Sequence, residues 1–141
     1  MTLIDRYLAA VAAQLPKAQR EDITAELRDD IETRIDHWDA RTGGSWRFTN
    51  AYEGEEYGFH GCFHEVGDDR IVQTFTFEGA PEGVALETLR FEDVGDGRTR
   101  LVATSLVESF EDRDAWLASG MEVGVNDGYA KLDRLLEQGA V

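Results

Sequence analysis

One cysteine, Cys62, excludes a disulfide within the chain. The fold must therefore stand on packing, as expected for a reducing compartment. Bases are also scarce: 14 lysines and arginines face 29 aspartates and glutamates, for a net charge of −15. Such a surface repels phosphate backbones and anionic lipid, so nucleic acid is not an expected partner, and the charge reads chiefly as solubility. No stretch approaches the roughly 18–20 continuous apolar residues of a membrane span, and membrane insertion is not expected. The N-terminus lacks a basic region followed by an apolar run, and Asp5 in the first turn argues against a mitochondrial presequence. The expected location is cytoplasmic.

The 141 residues, 42% of them hydrophobic, suffice for one domain and a small appendage without metal or disulfide staples. The chain opens with helical periodicity. Leu3, Ile4, Tyr7, Leu8, Val11 and Leu15 form one stripe behind a capping Thr2, and Pro16 interrupts it. Ile23, Leu27, Ile31 and Ile35 then recur every four residues, predicting a second helix from about 18 to about 38. Together these make an amphipathic helical hairpin with a narrow apolar seam, too small to bury both faces alone.

After Thr42-Gly43-Gly44 the period changes from helical to strand-like. Five strands are predicted, at 45–51, 56–66, 70–77, 83–92 and 98–107, joined by short turn-rich links such as Gly67-Asp68-Asp69 and Gly95-Asp96-Gly97. That order reads as an antiparallel meander. Within the fourth segment the apolar phase shifts from Val84 and Leu86 to Leu89 and Phe91, which predicts a bulge near Glu87. Helical structure resumes near Ser109, and a long helix is predicted over 119–138 with Met121, Val125, Tyr129, Leu132 and Leu136 on its apolar face. The fold class is therefore α+β: a curved antiparallel sheet of five strands packed against a long C-terminal helix, behind an N-terminal helical hairpin. The division is a helical segment over 1–38 and a sheet-and-helix domain over 39–141.

The stretches Asp39-Ala40-Arg41-Thr42-Gly43-Gly44-Ser45-Trp46-Arg47-Phe48, Phe59-His60-Gly61-Cys62-Phe63-His64-Glu65-Val66, Arg70-Ile71-Val72-Gln73-Thr74-Phe75, Gly97-Arg98-Thr99-Arg100-Leu101 and Ser119-Gly120-Met121 resemble the bacterial proteins related to the activator of heat-shock-protein-90 ATPase. These belong to the START-like, helix-grip superfamily, also called SRPBCC. The resemblance spans about 39–136 and implies a helix-grip fold. It does not single out a function, because the superfamily hosts carriers, cyclases and co-chaperone-like domains. Leu3-Ile4-Asp5-Arg6-Tyr7-Leu8, Leu15-Pro16 and the run from Asp22 to Ile31 are similar to the HAAS-type helical segment. A typical helix-grip relative starts with a long strand lying between the second and last strands. None is visible here, so the grip reads as incomplete, with two unpaired edges, at 45–51 and 98–107. Such edges invite a second copy of the chain, as does the hairpin.

The resemblance implies a cavity between sheet and helix, whose ligand would be a small apolar molecule. Its expected lining from the sheet is Trp46, Phe59, Phe63, Phe75, Phe77 and Leu89, with Gln73 and Ser105 as orienting polar groups. Trp116, Met121 and Val125 would close it from the helical side. The alternative for each is plain core packing. Gly120, Gly124 and Gly128, four apart on the last helix, admit either close approach to a neighbour or clearance for a ligand. His60, Cys62 and His64 share one strand face, opposite in parity to Phe59 and Phe63. The outer two lie roughly 13 Å apart, so they form an incomplete zinc set, and no metal is expected. No nucleophile elbow, phosphate loop or metalloprotease motif is present, and no catalytic residue or cofactor is assigned. Glu108, Glu111, Asp112 and Asp114 suit a helix start.

The function expected from this reading is a non-catalytic binding module that holds a small apolar ligand or docks a partner protein. The alternatives are an interaction protein using the hairpin, co-chaperone-like or signalling-associated, and a cyclase- or hydrolase-type enzyme using the cavity.

Overall fold

In the computed structural model, residues 32–139 are described. They form six strands followed by two helices: β1 (Glu32–Trp38), β2 (Ser45–Tyr52), β3 (Glu55–Val66), β4 (Arg70–Phe77), β5 (Val84–Gly95), β6 (Arg98–Leu106), α1 (Phe110–Ala118) and α2 (Met121–Glu137). The strands make one antiparallel sheet in chain order, β1-β2-β3-β4-β5-β6. Short turns join every neighbouring pair, so each strand folds back beside the one before it.

The sheet has six strands rather than five, because 32–38 is a strand and not the end of a helix. A step of four residues returns a side chain to the same face of a strand as well as of a helix, so Ile35 satisfies either pattern. The ladder decides: Ile35 lies opposite Phe48 and Trp38 opposite Trp46. The edge at 45–51 is therefore paired, whereas β6 pairs with β5 alone among the described strands. The HAAS-like hairpin, apart from its last residues, lies outside the described residues.

The Asp39–Gly44 link turns β1 into β2. Gly43 takes φ +84°, a left-handed conformation that favours glycine. A Cβ on Gly44 would fall 2.0 Å from the Asp39 carbonyl oxygen. These two demands account for the Gly-Gly pair ahead of Trp46.

Alternation puts Trp46 and Phe48 of β2, Phe59 and Phe63 of β3, Phe75 of β4 and Leu89 and Phe91 of β5 on one face, the core face. Trp46, Phe63, Ile71, Leu89 and Phe91 form its buried cluster, with Trp38, Phe48, Phe59, Phe75 and Leu101 packed against it. The rings run together: Phe48 stacks on Phe59 at 5.1 Å, Phe59 meets Phe75 at 5.4 Å, and Trp46 meets Phe75 at 5.7 Å between centroids. Gly61 makes room for this, since a Cβ there would lie 2.6 Å from the Trp46 ring and 2.0 Å from the Thr74 carbonyl oxygen.

The predicted bulge near Glu87 is absent. The β4–β5 ladder is regular from Arg70↔Arg90 to Thr76↔Val84, and β5–β6 from Leu86↔Leu106 to Asp93↔Thr99. The ladders slip instead at Asp36, His64 and Val94. The apolar phase shifts because Glu87 occupies the core face, while Val84 and Leu86 lie on the outer face, 42% and 43% exposed.

Ser109 caps α1, its hydroxyl accepting from the Asp112 N–H at 3.0 Å. Gly120, at φ +79°, forms the turn into α2. The covered side of α2 is Gly124, Asp127, Gly128, Lys131, Leu132 and Leu135. The predicted apolar face is therefore displaced around the helix. Of it only Leu132 is partly covered, and Met121 and Val125, expected to turn inward, are 40% and 43% exposed.

Candidate functional site

The core face carries one polar row. The register sets Gln73 of β4 opposite Glu87 of β5, and Glu87 opposite Ser105 of β6. Gln73 Nε2 donates to Glu87 Oε2 at 2.9 Å, and Ser105 Oγ donates to Glu87 Oε1 at 3.3 Å. The row stands among apolar neighbours. Ala85 and Leu89 flank Glu87 along β5, and Ile71 lies opposite Leu89; all three are buried. Burial pushes the Glu87 carboxyl above the ordinary carboxylate range, against the two hydrogen bonds that favour its charged form.

The helices reach this face through side chains. Trp116 of α1 meets Phe75 edge-on at 5.9 Å. Tyr129 of α2 lies within electrostatic reach of Glu87. Partial burial, then the nearby carboxylate, raises its phenol above the usual value. A Cβ on Gly128, beside Tyr129, would meet nothing within 4 Å although the residue is partly covered. Gly128 thus leaves clearance rather than permitting tight contact. Ala85 and Ala103 are small, and Ala103 and Ser105 are exposed, so the row opens toward the β6 edge.

The residues expected to line the cavity divide accordingly. Trp46, Phe63 and Leu89 are 3%, 2% and 6% exposed and belong to the core. Phe59, Gln73, Phe75, Phe77 and Trp116 are half-buried, while Ser105 is exposed beside Glu87. The expected lining does not include Glu87. Its signal is a carboxylate at an inward-facing position of an otherwise apolar alternation.

A second cluster occupies the opposite face. Arg47 grips Glu78 with two bonds of 2.8 Å and also pairs with Asp36, which accepts from Arg34 at 2.9 Å and from the Thr49 hydroxyl at 3.1 Å. His60 Nδ1 lies 3.1 Å from Glu78 Oε1. Gly58 makes this fork fit, since a Cβ there would sit 2.2 Å from Glu78 Oε2. The Arg47 bonds hold Glu78 below its ordinary value. Asp36, despite desolvation, is also lowered by Arg34, Thr49 and Arg47. A groove of about 330 Å³ runs beside the cluster, lined by Arg34, Arg47, Tyr57 and Glu78 among others. Because these charges neutralise one another, the arrangement acts as a clasp of β1 onto β2–β4. Cys62 and His64 are exposed on this face, and no three metal-ligating side chains converge among the described residues.

An antiparallel meander followed by helices that reach its aromatic face is consistent with the helix-grip class. The chain belongs to the family described as "Activator of Hsp90 ATPase homolog 1-like protein", whose sequence profile matches residues 20–137. Three solved structures share the fold. A Rhodobacter sphaeroides protein has 24% identity over 75% of this chain and 70% of its own, with a TM-score of 0.65. A Mycobacterium smegmatis protein has 20% identity over 89% and 87%, TM-score 0.66. One from Staphylococcus epidermidis has 18% identity over 98% and 85%, TM-score 0.68. No curated protein matches the chain. Family and fold point to a ligand-binding or chaperone-associated module.

Proposed function

We propose that this protein is a START-like binding module whose ligand, a small molecule with an apolar body, lies between the core face and α2. The observation that carries this reading is the Gln73–Glu87–Ser105 row, a hydrogen-bonded polar stripe in an aromatic and aliphatic surface, beneath a helix that leaves clearance at Gly128. Binding sites of this kind pair a mostly apolar wall with a few fixed polar groups that orient the guest. Phe75, Phe77 and Trp116 supply wall; Gln73 and Ser105 position the carboxyl.

Titration with the neutral dye Nile red, followed by displacement with a panel of lipids, tests this. Saturable fluorescence enhancement, reversed by at least one lipid, is expected. A linear, non-saturable response with no displacement would remove the ligand reading.

The buried Glu87 carboxyl also favours a second reading, proton-transfer catalysis of the cyclase or hydrolase type. Such chemistry needs a partner group, and Tyr129 lies within electrostatic reach of Glu87. Mass spectrometry of the displaced ligand separates the two readings. Recovery unchanged supports the module, and recovery in altered form supports an enzyme.

A further inference from the structure

Among the described residues the Glu87 carboxyl has no charged partner. Its two oxygens accept from neutral groups, the Gln73 amide and the Ser105 hydroxyl, and none of its described interactions is with a cation. On α2, Lys131 pairs with Asp127 at 3.0 Å. Around Glu87 lie Ala85, Leu89 and, diagonally, Phe75, so water can reach it chiefly from the exposed Ser105 and Ala103 side. A carboxyl so placed is uncomfortable when ionised and is satisfied by a positive group that arrives with its own apolar body. The chain's charge of −15 raises the local concentration of cations at any such mouth.

We propose that Glu87 is the anchor for the positively charged head of an amphipathic amine, which enters between Ser105 and α2 and lays its apolar part along Phe75 and Trp116. This deepens the binding-module reading and rests on it. Each Glu87 oxygen has accepting capacity beyond the single bond it now takes, so an ammonium can bind without displacing Gln73 or Ser105. Tyr129, facing from α2, stays protonated through neutral pH and can donate but not compete for the cation.

The test uses the full chain and three probes of equal length: n-octylamine, 1-octanol and octanoate, each below its micelle concentration, followed by calorimetry and tryptophan fluorescence. At neutral pH the amine is expected to bind about ten-fold more tightly than the alcohol, the difference between a charge-assisted and a neutral hydrogen bond, with octanoate weakest. Glu87→Gln keeps the shape and should erase the preference for amine over alcohol. A readout on the unsubstituted protein stands beside this variant should it fail to fold: amine affinity should climb from acid to neutral pH as Glu87 ionises, while alcohol affinity stays flat. Equal binding of amine and alcohol, tightest binding of octanoate, a flat pH profile for the amine, or an amine preference that survives Glu87→Gln would each overturn the cation assignment while leaving a binding module. Failure of all three probes and of Nile red alike would remove the module itself.

Discussion

Replacing Gly128 with alanine tests the geometry of the site at its narrowest assumption. Glycine inside a helix is less favourable than alanine by roughly 1 kcal/mol, because it surrenders more backbone freedom on folding. Position 128 lies well within α2, which runs from Met121 to Glu137, and a Cβ there would meet nothing within 4 Å. Nothing offsets the helical gain, so Gly128→Ala should stabilise the protein by about 1 kcal/mol, or roughly 3–4 °C in melting temperature for a chain of this size. Thermal denaturation followed by circular dichroism measures it. If the space is used by a ligand, the same methyl group must narrow it, so the variant should gain stability while losing affinity for Nile red. A drop in melting temperature would refute the reasoning, since it would mean that α2 sits against the sheet at 128 and that no clearance exists.

Four further outcomes follow from the same structure. Gly61→Ala should destabilise by at least about 1–3 kcal/mol in chemical denaturation, since its Cβ meets both the Trp46 ring and an immovable carbonyl oxygen. The raised Glu87 carboxyl means that the folded state holds more protons than the unfolded state between the ordinary and the raised value. Stability should therefore fall as pH rises through that window, and Glu87→Gln should flatten the decline in urea titrations at several pH values. Glu78, lowered by Arg47, has the opposite sign: its contribution is present above the ordinary carboxylate range and lost on acidification, so Glu78→Gln should flatten the acid limb instead. The outer edge of β6, beside the exposed Leu86 and Leu106, should pair two copies if the expected self-association holds. Light scattering after size-exclusion chromatography would then show a dimer that Leu106→Lys dissociates, and a wild-type monomer at high concentration would refute it.

Much of the fold is legible in the sequence because most of it is alternation. Strands β2 to β6 were bounded to within a few residues by the switch between apolar and polar positions and by glycine-bearing turns. Strand β1 was not legible, because Ile35 stands four residues after Ile31 and that spacing belongs to both periods. What distinguishes the two is non-local: the free edge of β2 offers a ladder of backbone groups, and Trp38 can reach Phe63, which it meets edge-on at 5.5 Å. The covered face of α2 is not legible for a related reason. Met121, Val125 and Tyr129 are more apolar than Gly124 and Gly128, yet the helix presents its small residues and the Asp127–Lys131 pair to the covered side. The apolar contribution on that side comes from Leu132 and the buried Leu135 instead.

The site follows from the same principle turned around. Gln73 and Ser105 are recognisable as polar residues at core-facing positions, but Glu87, which joins them, reads as the site of a bulge. Alternation assumes that every inward position is apolar. A carboxylate at one of them therefore looks like a slip of register, although the ladder on both sides of β5 is unbroken there. An intact register with a broken pattern is the signature of a residue placed against the local rule, and such violations gather where a protein does its work. A structural origin for Glu87 would need it to hold strands together, yet Gln73 and Ser105 sit on strands already joined to β5 by their backbones. Removing its charge should accordingly leave the sheet intact and alter what the core face can hold.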